Sequence, residues 1–446
     1  MRLFRFAALL LMAFFTTIPV LRGLEKQPAS VFHARRVSLA AKTHGGVAVL
    51  FAAEEPVLDL TPYRQDEDFY YLTGWTEPGA ALLVFQSGVP ETYQEVLFLP
   101  TRDLRMEKYT GIKLDAASPG VVQATGVDAV KQMTDLPSVL SGLIAADRPL
   151  MYNLWAQPEA PQAKALLDFT AATLGMDAVP AAHDVTSAVA SLRLVKDGGE
   201  IELIKKASAA SISGQRVMMR AMRPGETERA VAGKMTAAWM ENGCERASYA
   251  PIVGSGINST TLHYAENART IEDGDIVVVD AACEYSMYAA DITRTVPANG
   301  HFSARQREIY DIVLGAQQAA IQAFTDGKST INDRDRRDPN SLDTVAYNYI
   351  NTHGKDLHGQ PLGQYWLHGL GHMMGIDVHD PATYPAVLKP GMVFTIEPGV
   401  YIPEEKLGVR IECDFLVGTD GKLIDLDAAL PHTADEVEAA MRDRQQ

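Results

Sequence analysis

A chain of 446 residues exceeds one ordinary hydrophobic core, so two domains are expected. With 47% apolar and 22% charged residues it has a globular composition, neither disordered nor fibrous. Forty Lys and Arg against 56 Asp and Glu give a net charge of −16, the wrong sign for gripping a phosphate backbone, so no nucleic-acid partner is expected.

The chain opens MRLFRFAALLLMAFFTTIPVLRGLEKQ. Arg2 and Arg5 precede an apolar run over residues 6–15, short for a membrane span and suited to a signal-peptide core. Residues 1–23 therefore read as the leader of an exported protein, periplasmic or secreted. Leu21-Arg22-Gly23 is only loosely a small-x-small cleavage site, which leaves an uncleaved N-terminal anchor as the alternative. No later segment is apolar enough for long enough to cross a bilayer.

From residue 28 to 183 helical and strand patterns alternate, as in an α/β domain. VFHARRVSLAAK is helical; GVAVLFA, ALLVFQS and EVLFLP are short apolar runs of buried-strand length. SLRLVKDGGEIELIKKASAASISGQRVMMRAM reads as one long helix, with Ile201, Ile204, Ala207 and Ile212 near one face. It opens a second domain over residues 190–440. There, ETERAVAGKMTAAWMENG is a helix stopped by Gly243, and SARQREIYDIVLGAQQAAIQAF is one opened by a Ser303/Gln306 capping box. LDTVAYNYINTHG is a shorter helix. GMVFTIEPGVYI and GVRIECDFLVG read as strands, and the grouping of elements favours an α+β domain with antiparallel sheet. TDGKSTINDRDRRDPNS reads as a polar surface loop without chemistry.

Cys244, Cys283 and Cys413 form no CxxC, and their odd number argues against a disulfide framework. A metal in this chain must therefore be held by His, Asp and Glu.

Four acids stand where acids are costly. Asp280 ends the apolar run IVVV, and Asp291 follows within the next strand-like run; paired as a hairpin, the two runs would let the carboxylates face each other. Glu397 sits in MVFTIEPGVYI and Glu412 in VRIECDFL, where alternation puts Arg410, Glu412 and Asp414 on one face. Singly, each acid could cap a turn, and Glu412 could pair with Arg410. Together, four acids embedded in apolar strands of one domain point to a shared ligand. LHGLGHMMGIDVHD adds His368, His372 and His379; its two glycines weaken a helix, and HExxH is absent. Carboxylates with an imidazole form a hard donor set suited to two divalent ions, which about 3.5–4 Å apart can activate a shared water and polarise a carbonyl.

These motifs resemble the pita-bread metallopeptidases, the family of methionine aminopeptidase, prolidase and Xaa-Pro aminopeptidase. The resemblance rests on VVVDAACEYSMYAADITRT, HGLGHMMGIDVHD, TIEPGVYI and VRIE, on PIVGSGINSTTLHYAENAR with His263, and on YRQDEDFYYLTGWTEPGAALLVF in the first domain. It implies an aminopeptidase P-type N-terminal domain before a pseudo-symmetric α+β pita-bread catalytic domain. It also implies two metal ions, Mn²⁺ foremost with Zn²⁺ or Co²⁺ able to use the same ligands. Asp280 and Asp291 would hold one ion and His372 the second, with Glu397 and Glu412 completing the site and Asp291 and Glu412 bridging. Glu397 would shuttle a proton for a hydroxide bridging the ions. His263, His368 and His379 would hold substrate and stabilise the tetrahedral intermediate, Arg410 matches a site arginine, and Tyr401 falls nearby. The implied activity removes the first residue of peptides with proline second, and the implied assembly is a homo-oligomer, dimer or tetramer. Prolidase, which cleaves Xaa-Pro dipeptides, is the alternative enzyme. A non-catalytic pita-bread binding protein is the alternative class, although such proteins lack the five ligands retained here.

Overall fold

The computed structural model describes residues 24–43, 45–55, 62–86, 93–145, 151–153, 182–333 and 335–442. The expected leader lies outside the described residues.

The first domain is built on a six-stranded mixed sheet, in the order Ala129–Gln132, Tyr93–Leu99, Ala81–Gln86, Val47–Phe51, Met151–Asn153 and Ala182–Asp184. Its inner strands are continuous apolar runs because both faces are covered. Val47, Val49, Leu83 and Phe98 pack with Leu136 and Leu140 of the helix Leu136–Ala145. Ala48, Leu50, Leu82 and Val84 face the other way, toward Leu39 of the helix Ala29–Lys42 and Phe69 of the helix Glu67–Thr73. That second cluster continues into the catalytic half of the chain through Met287, Tyr288, Met374 and Ile376, so the two domains share one apolar seam.

Ion pairs key the seam. Arg193 is buried and bonds Asp68 at 2.7 Å in the first domain, and Asp377 and Asp380 at 2.7 and 2.6 Å beside His379. Lys196 adds a 2.9 Å bond to Asp380, and Arg64 reaches Glu284 at 2.8 Å. The single long helix expected here is two: Thr186–Arg193, then Gly198–Ala221. Asp197 breaks the run because its side chain caps the new helix, with Glu200 returning the bond to complete a capping box.

The second domain consists of two matching halves of α+β structure. In the first half the helices Gly198–Ala221 and Glu228–Glu241 cover the antiparallel strands Ile252–Ser255, Ile276–Asp280 and Thr293–Pro297. In the second half the helices Ala304–Ala323 and Leu342–His353 accompany Val393–Ile396, Cys413–Val417 and Leu423–Asp425, with the ribbon Gly399–Ile402 and Leu407–Arg410 beside them. Each helix pair closes over a glycine. A Cβ at Gly214 would collide with Trp239, and one at Gly315 with Tyr349. The Ser303/Gln306 capping box forms as expected.

Several local expectations change. Asp291, Glu397 and Glu412 are not inside strands: each stands where a strand has ended or not yet begun. The connection after Asp280 holds its own small hairpin, Cys283–Tyr285 with Tyr288–Ala289. Cys244 and Cys283 form a disulfide, against the expectation from cysteine count, leaving Cys413 free and buried. An odd number does not forbid one bridge when the fold brings the helix end at Cys244 beside the strand carrying Cys283.

Candidate metal centre and active site

The sheet register sets the first pair of acids. Asp280 lies opposite Thr293, and Asp291 stands two residues before that partner. Asp414 accepts a bond from the backbone N–H of Asp291 at 3.1 Å, which fixes the turn. In the other half Glu397 follows the strand Val393–Ile396, and Glu412 precedes Cys413–Val417, whose Cys413 pairs with Ile396. Glu412 Oε2 accepts a 2.6 Å bond from the Thr293 hydroxyl, joining the halves.

His372 enters from an extended segment. Leu370 C=O accepts from Glu397 N–H at 2.7 Å and His372 C=O from Thr395 N–H at 2.9 Å, so Gly369–His372 runs beside the strand Val393–Ile396 as an added edge. A Cβ at Gly371 would clash with Thr395, which explains one glycine of HGLGH. His372 Nδ1 faces the Met373 carbonyl at 3.2 Å, and Nε2 lies 3.4 Å from Asp291 and 3.6 Å from Glu397.

The expected residues therefore converge, in two overlapping groups. Asp280, Asp291 and Glu412 present ligand atoms within 4.8 Å of one another, and so do His372, Glu397 and Glu412. Asp291, His372 and His379 form a third such group, with the His372 and His379 rings stacked at 3.8 Å. His263, His368 and Arg410 line the same cavity, of about 650 Å³.

Arg410 does not pair with Glu412 as its sequence neighbourhood suggested. It bonds Asp280 at 2.6 Å, Thr293 at 3.1 Å and the Tyr401 hydroxyl at 2.8 Å. Tyr401 in turn meets His368 Nε2 at 2.8 Å, while His368 Nδ1 meets the Gly369 carbonyl at 2.7 Å. Both ring nitrogens of His368 are thus engaged, and burial together with Arg410 lowers its pKa to about 4. As arranged, His368 orients Tyr401; it faces substrate only by exchanging one of these bonds.

The charge balance tests whether metal fits. Burial pushes Glu412 well above the usual carboxylate range, raises Asp280, and pushes Glu397 up to about 7, with the neighbouring carboxylates adding to each shift. Burial works against the His372 imidazolium, but its bond to Asp291 and the charge of Glu397 carry it up to about 9. Asp280 Oδ1 is buried and makes no hydrogen bond. Four carboxylates facing one guanidinium and one imidazolium still lack positive charge, and divalent cations among oxygen and imidazole donors supply it. The residues fit the group.

Sequence reading missed part of the wall. Asn332, Asp333 and Asp335, from the loop taken as without chemistry, line the cavity with Tyr384 and Pro385. Asn332 adopts a left-handed φ of +59° and turns its amide onto Gly371, donating to the carbonyl and accepting from the N–H at 3.3 Å. It replaces the strand partner that the Gly369–His372 edge lacks. Asn before Asp in a polar run signals only a turn. The Tyr249 hydroxyl, buried near Asp280, Asp291 and Glu412, carried no sequence signal at all.

This fold and this donor set define a metal-dependent hydrolase with a buried two-ion centre. The profile of metallopeptidase family M24 matches residues 202–419, and that of the aminopeptidase P N-terminal domain matches residues 32–152. The chain is 34% identical over 440 residues to a Xaa-Pro aminopeptidase of Escherichia coli, covering 92% of this chain and 97% of that one. It is 32% identical to a Xaa-Pro aminopeptidase of Haemophilus influenzae, with 94% and 98% covered. Among solved structures, zinc-substituted E. coli aminopeptidase P in complex with product superposes with a TM-score of 0.82 at 30% identity, covering 95% of this chain and all of that one. Aminopeptidase PepP of Pseudomonas aeruginosa gives 0.81 at 30%, with 94% and 99% covered. The chain belongs to metallopeptidase family M24, in the branch that carries an aminopeptidase P N-terminal domain.

Proposed function

We propose that this protein is a Xaa-Pro aminopeptidase, releasing the N-terminal residue of peptides whose second residue is proline. The observation that carries the reading is the five-residue cluster Asp280, Asp291, His372, Glu397 and Glu412 in a cavity behind an aminopeptidase P-type first domain. An amide before proline has no N–H, so enzymes that grip that N–H cannot hold it. A site that acts through charge on the carbonyl and the free amine has no such need.

Asp280 and Asp291 would hold one divalent ion, His372 and Glu397 the other, with Asp291 and Glu412 shared; Mn²⁺ is the expected metal. Such ions, when bound, supply a nucleophilic water at neutral pH and polarise the scissile carbonyl. Glu397 stands at the cavity wall to take the proton of the attacking water and pass it to the departing proline nitrogen. His263 and His379 are exposed on the cavity wall and are placed to donate to the carbonyl oxygen as charge develops there. The surplus of carboxylates attracts the peptide's terminal ammonium. Arg410 and Tyr401 hold Asp280 and His368 in register.

The test is a panel of peptides on chelator-stripped and Mn²⁺-restored protein. A tripeptide with proline second is expected to lose its first residue only with metal, and its alanine counterpart to react far more slowly. Full activity without metal overturns the metal reading, and rapid cleavage of the Xaa-Pro dipeptide alone transfers the assignment to prolidase.

We also propose export. Arg2, Arg5 and the apolar run after them support it, as does the Cys244–Cys283 bond, which persists in oxidising compartments. Leu104, Met106, Tyr109 and Ile112, between 48% and 81% exposed, support assembly of a dimer or tetramer. N-terminal sequencing and sedimentation of the native protein check both: a chain starting after about residue 23 and a multiple of the monomer mass are expected. An intact Met1 on cytoplasmic monomer contradicts them.

A further inference from the structure

Gln215 and Gln317 occupy matching places in the two halves of the catalytic domain, and both are buried. Gln215 follows Gly214, the residue closed upon by Trp239; Gln317 stands two residues after Gly315, closed upon by Tyr349. Gln215 Nε2 donates to the carbonyls of Ala281 and Ile292, at 2.9 and 3.1 Å. Gln317 Nε2 donates to the carbonyls of Ile396 and Ile411, at 2.9 and 3.2 Å.

Each of those four carbonyls adjoins one acid of the centre. Ala281 follows Asp280, Ile292 follows Asp291, Ile396 precedes Glu397 and Ile411 precedes Glu412. All four lie at breaks or ends of the ladders, where the chain leaves the sheet to aim a carboxylate inward. A break in a buried ladder leaves carbonyls short of partners, although Ile292 C=O still accepts from Ala281 N–H at 3.1 Å, and an under-bonded buried carbonyl is costly. One side-chain NH₂ has two protons and so ties two breaks together. The same device recurs once in each half, and neither glutamine bonds a carboxylate.

We propose that Gln215 and Gln317 are positioning residues that set the spacing of the acid pairs, Gln215 for Asp280 with Asp291 and Gln317 for Glu397 with Glu412. This rests on the two-ion reading above. Asp280 serves one ion only and Glu397 the other only, while Asp291 and Glu412 serve both, so each glutamine acts mainly on the ion held by its unshared acid.

The test is Mn²⁺ titration calorimetry on metal-free full-length protein. Wild type is expected to take two ions per chain; one ion or none defeats the two-ion reading itself, before any variant is compared. Gln215→Met and Gln317→Met preserve length and remove the amide. Each is expected to weaken one binding step by about 10–100-fold, the usual cost of disturbing a group that orients a ligand. Gln215→Met should weaken the step that Asp280→Asn weakens, and Gln317→Met the step that Glu397→Gln weakens. Thermal midpoints of the metal-free variants are measured alongside. Gln215→His and Gln317→His keep one N–H donor, and carry the test with a smaller loss in the same step if the Met variants do not fold. A lowered midpoint with both binding steps unchanged makes the glutamines structural only and overturns the proposal. Equal weakening of both steps by either variant overturns it too.

Discussion

His372→Ala is expected to lower metal content and turnover together. His263→Ala and His379→Ala are expected to leave the metal in place while slowing turnover by about 10²–10³, the usual cost of losing a transition-state donor, and His368→Ala to leave the metal in place while slowing turnover through the loss of its bond to Tyr401. His372 is singled out by its bonds. Its Nδ1 faces the Met373 carbonyl, which fixes the tautomer with the Nε2 lone pair toward Asp291 and Glu397. His368 is tied at both nitrogens to Gly369 and Tyr401, so it has no free lone pair for an ion. His379 is the sterner case, because it also forms a three-donor group with Asp291 and His372. It is stacked on His372 at the cavity wall, and partial desolvation there with the adjacent His372 lowers its pKa to about 4, leaving a neutral ring at neutral pH. Elemental analysis beside kcat decides the matter. If His379→Ala loses metal as completely as His372→Ala, both histidines are ligands and the assignment of His372 alone is wrong.

Arg193→Ala is expected to lower stability by about 3–5 kcal/mol, because deleting one partner of a buried ion pair leaves uncompensated charge behind. Arg193 is the hub of three carboxylates, and Asp380 is almost wholly buried. Burial opposes ionisation of Asp380, and Lys196 and Arg193 together hold its pKa below the usual value; without Arg193 only Lys196 remains to offset that buried carboxylate. Urea unfolding followed by signals from each domain measures the effect. Loss at the seam should uncouple the domains, and turnover should fall as the His379 loop loses its anchor. A change under about 1 kcal/mol, the range of exposed pairs, would rule out this role.

The acids of the centre were legible in the sequence because cost is local. A carboxylate directly after IVVV or VFTI needs a reason wherever the rest of the chain goes. The helices from Ser303 and Leu342, the strands of the first domain and the non-helical HGLGH were legible for the same kind of reason: caps, period and glycine act over a few residues. Partners across the fold were not. Arg410 sits two residues from Glu412, yet the register of Ile276–Asp280 against Thr293–Pro297 delivers Asp280 to it instead. The bridge Cys244–Cys283 spans 39 residues, and the bond from Asn332 to Gly371 also spans 39.

Composition, period and the cost of buried charge thus determined from sequence alone that the chain folds as an α/β domain followed by an α+β domain holding a carboxylate-rich centre. Only the tertiary structure decided where the strands break, which cation neutralises which acid, and that Gln215 and Gln317 close the breaks. A strand ends where long-range packing offers its carbonyls a better partner than the next rung of the ladder, and that partner, carried on a distant helix, leaves no mark in the strand's own residues.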